Sequence, residues 1–361
     1  MFSSLLNFNR NMKCVLENHA YGKIKVCMPT EKAKKSIDPP RIIPSIAEGF
    51  HTVAANIYLI LFPILIDLLL WLGPIVRIKN FFMPIMMDAL EVSAAAYGDQ
   101  AAEFITTSQE IWTEFFQQFN LLSLLRTFPI GISSLMFSKA RTGTPFGIMR
   151  FIDLQSERTV LIWALGFLLI GTFLGCIYFS LTADRVKGKK KSPQLNGLLN
   201  QTLHGIILSL LIFSVFLILS FPIACILSSI FLFLPSLGTF PIALIGVMFV
   251  WMILPLGFSP HGIFSRQLNA VKSIVTSFQM VRRLMSAAGL FFIVILLIGF
   301  GLDVLWSTPE TENWMLGVGI VGHAFISTGL LAASFVYYDS GIRWVESIPK
   351  PKTLETESFI S

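Results

Sequence analysis

Six stretches of the chain are apolar for long enough to cross a membrane as helices, and the polar segments between them set their arrangement. The clearest is residues 314–338, WMLGVGIVGHAFISTGLLAASFVYY, which has no Asp, Glu, Lys or Arg. At about 1.5 Å per helical residue it can span a hydrocarbon core of about 30 Å. Comparable runs at residues 52–76, 159–182, 203–229, 239–258 and 287–306 complete the set. Pro63 is expected to kink the first, which neighbouring helices tolerate. Gly171 and Gly175 give the second the spacing that lets helices approach closely. A short uncharged turn at residues 235–238 leads into the fourth. A further apolar run, residues 121–137 (LLSLLRTFPIGISSLMF), is only about 17 residues long and contains Arg126 and Pro129. It is expected to be an interfacial or re-entrant piece rather than a crossing.

Two segments outside the spans carry helical periodicity. In the loop at residues 77–158, Phe104, Ser108, Ile111, Phe115 and Phe119 fall on one stripe and Glu103, Glu110 and Glu114 on the next. In residues 261–284, Ile263, Val271, Ile274, Val275, Phe278 and Val281 form an apolar stripe, with Arg266, Lys272, Arg282 and Arg283 largely off it. The second predicts an amphipathic helix at the inner leaflet, where those four basic residues would contact anionic lipid.

Charge then sets orientation. Arg185, Lys187 and Lys189–Lys191 follow the second span, Arg266 to Arg283 follow the fourth, and residues 1–50 are basic; residues 307–313 hold Glu310 and Glu312 and no basic residue. Basic flanks stay cytoplasmic, so both termini are expected inside and residues 77–158 outside. The reading is an all-α polytopic membrane protein with six transmembrane helices and interfacial amphipathic helices. Residues 1–50 form a basic cytoplasmic tail, residues 51–345 the membrane domain and residues 346–361 a second tail. Pro39, Pro40 and Pro44 make the approach to the membrane extended. No cleavable signal precedes the first span, which is expected to act as an anchor in the cytoplasmic membrane.

Composition agrees: 54% of residues are hydrophobic and 13% charged. The formal net charge of +6 lies between spans, where topology explains it, so no nucleic-acid partner is expected. The cysteines form no Cys-x-x-Cys, and no cofactor is expected. Ionisable groups inside spans are costly and default to functional candidates. These are Asp67, Asp303 and His323, all in the outer half, with Asp67 and His323 at about equal depth. Interhelical hydrogen bonding is their leading role, and a proton or cation path the alternative. His51, His204 and His261 mark the inner ends of spans, where separate interfacial histidines are a commoner arrangement than a zinc site, so no metal is assigned. Catalytic signatures are absent. Gly257-Phe258-Ser259-Pro260 and His323 mimic the serine and histidine of six-span rhomboid proteases, but the fourth residue is proline and the two groups lie at opposite depths.

Four pieces carry a resemblance: AANIYLILFPILIDLLLWLGP (54–74), NLLSLLRTFPIG (120–131), FSPHGIF (258–264) and GHAFISTGLLAASFVYYD (322–339). They resemble uncharacterised bacterial six-span integral membrane proteins of Chloroflexi-like genomes. More loosely, the layout is similar to membrane domains found beside glycerophosphodiester phosphodiesterases. The resemblance implies a six-helix membrane fold in a bacterial inner membrane and no activity, and it covers Asp67, His261 and His323. The leading functional expectation is a non-enzymatic component that organises, assembles or senses something at the bilayer, with membrane lipids as partners and the outer loop open to a protein partner. The alternative is a small transporter or lipid-handling protein working through the outer-half polar cluster.

Overall fold

The computed structural model describes residues 12–19, 22–29, 38–97, 102–137, 139, 141–147, 149–189, 195–233 and 240–348. It divides into residues 39–345 and a second unit of residues 1–38 with 346–361. In the smaller unit, β1 (Met12–His19) and β2 (Gly22–Pro29) pair antiparallel, with Cys14 opposite Cys27 in the register. The turn expected at residues 235–238 and most of the C-terminal tail lie outside the described residues.

The larger unit is an all-α polytopic membrane fold. Five of its helices are long and apolar enough to cross a membrane: α5 (Glu157–Val186), α6 (Leu195–Phe233), α7 (Phe240–Arg266), α9 (Met285–Trp306) and α10 (Met315–Ser347). The number rises to six when the broken pair α1 (Ile42–Ala55) and α2 (Leu61–Leu72), joined by a 3-10 turn at Ile57–Ile60 and bent by 95°, is counted as one span.

That pair corrects the expected first span of residues 52–76. The break is at Asn56, whose φ and ψ (−134°, 56°) leave the helical region and whose side-chain amide donates to the Thr52 carbonyl. Pro63 and Pro44 each sit in the first turn of a helix, where no intrahelical N–H is needed, so neither interrupts anything. Residues 42–50 are therefore helix rather than tail. They pack on α10: a Cβ on Gly49 would collide with the backbone of Ala333. At the other end, Gly73 closes α2 in an extended conformation and residues 75–76 become strand.

The outer segment after α2 begins with β3 (Ile75–Arg77), which pairs in parallel with β4 (Phe151–Asp153). Arg77 clasps Asp153 through two hydrogen bonds of 2.7 and 2.9 Å, which hold that carboxyl below its ordinary range. Between the strands come α3 (Lys79–Tyr97) and α4 (Ala102–Gln118). The packed residue on α4 is Phe116, stacked on Phe82 and Trp112. Ile111 and Phe115, which the periodicity placed on the apolar stripe, face outward.

Residues 121–137 enter the bundle, with Phe128 and Phe137 left exposed. After a 3-10 turn at Leu121–Leu125 the backbone is irregular, and Leu122, Leu125, Ile130, Ile132 and Leu135 are buried in the main core with Trp71, Tyr178 and Phe335. Gly171 and Gly175 allow a close approach, but to this segment rather than to a helix. A Cβ on Gly171 would fall against the backbone of Leu125, and one on Gly175 would lie 2.9 Å from the Ile130 carbonyl oxygen. The segment thus re-enters to the midpoint of α5. Lys139 donates to the carbonyls of Ser307 (2.5 Å) and Pro309 (2.7 Å), and Trp71 donates to that of Thr311 (2.7 Å), tying the loop and α2 to the α9–α10 link on one face.

On the opposite face Lys187, at the end of α5, donates to the Ser265 carbonyl at the end of α7. The chain reverses at Gln267 (φ 54°), so residues 261–266 complete α7 and the amphipathic helix shortens to α8 (Ala270–Arg283). Its inward face is Ala270, Ser273, Ser277, Met280 and Val281. Met280 and Val281 join Phe258, Phe291, Tyr337 and Tyr338 in a second core. Val271, Val275 and Phe278, on the expected stripe, are exposed.

Gly171→Ala is expected to lower stability by about 1–3 kcal/mol, because the new methyl meets backbone that cannot rotate away. Thermal unfolding of the purified protein measures this against Gly166→Ala, where a Cβ meets nothing within 4 Å. Equal melting temperatures for the two variants would show that the segment does not press on α5.

Candidate functional site

Between α9, α10 and the re-entrant segment lies a cavity of about 740 Å³. Helical spacing builds two of its walls. On α10, His323, Ser327, Leu330, Leu331 and Ser334 follow one another along a single stripe, and on α9 so do Leu296, Gly299, Phe300, Asp303 and Ser307. The third wall is Arg126, Ser133, Ser134 and Phe137. From residue 323 to residue 334 the helix rises about 16 Å. The cavity is therefore an elongated groove, polar at its outer end around Arg126, Asp303, Ser307 and His323. Toward the inner side Ile295, Leu296, Ile326, Leu330 and Leu331 line it, as far as Ser334.

His323 is 4% exposed, and its Nδ1 lies 2.6 Å from Asp303 Oδ1. An ionised carboxylate only accepts, so Nδ1 carries the proton of this bond. Nε2, at the far side of the ring, is buried without a hydrogen-bond partner. Asp303 keeps its second oxygen toward the cavity, with 36% of its side chain accessible.

Asp67 occupies a different position from the one equal depth allows. It is fully buried and does not bond His323. Its Oδ1 accepts from the Ser134 hydroxyl (2.5 Å) and the Met136 N–H (3.1 Å), and its Oδ2 from the Leu135 N–H (3.1 Å). The carboxylate thereby supplies acceptors to a non-helical backbone that would otherwise be left unpaired inside the bundle.

Arg126 was visible in the sequence only as an oddity in an apolar run. Its guanidinium lies over the Phe137 ring, 4.5 Å from the centroid. The carboxylates acting on it are Asp303 and Asp67. Among the described residues its donors meet no hydrogen-bond acceptor. Ser327 and Ser334, also on the groove wall, gave no signal beyond their spacing from His323.

The inner-face candidates do not converge. His51 is exposed, His204 half-buried, and His261 buried with Nε2 2.6 Å from the Ser334 hydroxyl. Among the described residues no group of His, Cys, Asp and Glu could hold a metal ion. Ser259 donates to the Pro255 carbonyl of its own helix and faces no histidine base. Lys272, Arg282 and Arg283 are exposed on α8 beside Val271, Val275 and Phe278, and Arg266 is half-buried at the end of α7.

Compared with models of known protein families, with curated proteins and with solved structures, the chain finds no match.

Asp67→Asn would turn an amide nitrogen toward groups that are themselves donors, leaving at least one buried N–H or hydroxyl unpaired at about 1–3 kcal/mol. Faster hydrogen exchange at the Leu135 and Met136 amides and a lower unfolding temperature are expected. Asp303→Asn, which touches neither amide, should leave exchange there as it was. Unchanged exchange in Asp67→Asn would overturn the anchoring role.

Proposed function

We propose that this multi-pass membrane protein is a lipid-handling protein that takes an amphiphile into the groove between α9 and α10. The observation that carries the reading is the groove's gradient of polarity, charged at the outer end and lined mainly by apolar side chains, with Ser327 and Ser334 among them, for the rest of its length. An amphiphile has the same gradient, with its headgroup and tail aligned along the membrane normal. The volume of about 740 Å³ lies in the range of small-molecule sites, about 300–1,000 Å³. Phe300, Val304 and Phe137 at the rim are 68%, 72% and 52% exposed, as residues facing acyl chains would be, so the groove has a side from which lipid can enter.

The groove favours this reading over a purely organising role, because a scaffold has no use for an open cavity holding Arg126 with unused donors. The membrane is taken to be the cytoplasmic one, with the basic segments inside. There the exposed Val271, Val275 and Phe278 of α8, flanked by Lys272, Arg282 and Arg283, would rest on the anionic inner leaflet.

The test is to fill the groove. A Cβ on Gly299 would lie 3.7 Å from Leu330, so a large side chain placed there projects into the cavity. Native mass spectrometry of the purified full-length protein is expected to find tightly held lipid, reduced about tenfold in Gly299→Trp. Lipid that stays bound in a folded Gly299→Trp protein would overturn the reading.

A further inference from the structure

The groove's outer end also bears on which headgroup it would hold; this step rests on the reading of the groove as a lipid site. We infer that the occupant is a zwitterionic phospholipid with a primary ammonium, of the phosphoethanolamine type. Its phosphate would sit on Arg126 and its ammonium on Asp303.

Two open groups of opposite sign carry the argument. Arg126 presents a planar fork of N–H donors with no acceptor among the described residues, stacked on Phe137 so that the fork's direction is set. Such a fork pairs bidentately with two phosphate oxygens. Asp303 has one oxygen engaged by His323 and the other free, on a side chain that is 36% accessible from the groove. A free carboxylate oxygen takes a hydrogen-bond donor, preferably a cationic one.

Net charge narrows the choice. Of the groups that line the groove's charged end, Arg126 contributes one positive charge and the Asp303 carboxylate one negative charge. The two open groups cancel, and beside an apolar groove an added unbalanced charge is expensive. A purely anionic headgroup would add a negative charge to a site that has none to spare. A purely cationic amphiphile would leave the Arg126 fork unmatched. A headgroup with both signs and no net charge matches both groups and leaves the sum unchanged.

The ammonium must also donate. Asp303 is an acceptor, and a primary ammonium offers it N–H groups while a trimethylammonium offers none. Phosphocholine would therefore satisfy Arg126 and only part of Asp303. His323, bonded to Asp303 through Nδ1, holds that carboxylate in place and acts as a positioning residue.

The experiment equilibrates the full-length protein with nanodiscs holding phosphatidylethanolamine, phosphatidylcholine and phosphatidylglycerol in equal amounts and with identical acyl chains. Retained lipid is then read by native mass spectrometry. The ethanolamine lipid is expected to be held about tenfold more than either competitor, the difference made by one charge-assisted hydrogen bond set. Asp303→Asn should erase the preference over choline, while Arg126→Gln should weaken retention of all three. Wild-type protein that holds phosphatidylglycerol as well as the ethanolamine lipid overturns the inference, whatever the variants do. So does a preference that survives Asp303→Asn, or displacement of bound lipid by free phosphoethanolamine at the same concentration. If Gly299→Trp abolishes retention but no headgroup is preferred, the headgroup assignment falls and the groove reading stands. If Gly299→Trp changes nothing, the groove reading falls with it.

Discussion

A stretch of irregular backbone survives inside a membrane bundle only when something other than water takes up its N–H groups. Asp67 does this for the re-entrant segment, accepting from the Ser134 hydroxyl and the Leu135 and Met136 amides at once. The rest of the outer half depends on it. With residues 134–136 held, Ile130 and Leu125 can seat against Gly175 and Gly171 of α5, and Arg126 and Phe137 are carried to the edge of the groove. A charge buried in a span is usually costly, about 2.5–3.5 kcal/mol on insertion scales. Here it is offset by three hydrogen bonds and by the shape they impose.

The two intramembrane carboxylates therefore have separate duties. Asp67 is sealed, with three donors on its two oxygens and no place on the groove wall. Asp303 is half-committed, with one oxygen on His323 and the other open. Two acids inside apolar runs look alike on a sequence diagram, which conceals that difference; it is set by what each helix packs against. Any ligand chemistry belongs to the open acid, and the rigidity that makes the ligand site well defined belongs to the closed one.

How much of this the sequence disclosed follows from the length scale of each signal. Spans are runs of about 20 residues with few charges, and hydropathy resolves those. The polar set of Asp67, Asp303 and His323 stood out because ionisable groups inside spans are rare. The break at Asn56 did not stand out, because a single residue leaving the helical region changes neither hydropathy nor length, and Pro63 was the more conspicuous suspect. Gly171 and Gly175 announced a close approach without naming the partner, since helix backbone and loop backbone make the same demand on a Cβ. On α8 the apolar stripe predicts a helix at the inner leaflet and says nothing of the face that packs on the bundle. Its buried face uses Ser273 and Ser277, small polar residues whose fit is a matter of volume rather than hydropathy. The Asp303–His323 contact needed knowledge that α9 and α10 are neighbours, which their short link at residues 307–314 implies and hydropathy does not.

Arg126 is what turns this architecture from a closed bundle into one with a vacancy. Its donors can be met by a carboxylate, by water at the membrane surface or by a ligand. Asp67 is engaged by three donors of the segment that also holds Arg126, and Asp303 has one oxygen on His323, so neither is arranged as a dedicated partner. The ring of Phe137 stabilises the guanidinium face and leaves its edge open. On the reading proposed here, a fork of donors at the edge of an apolar groove is completed by an acceptor from outside the chain. At this depth the molecules able to supply it are those already standing in the membrane with a polar end outward and a tail inward.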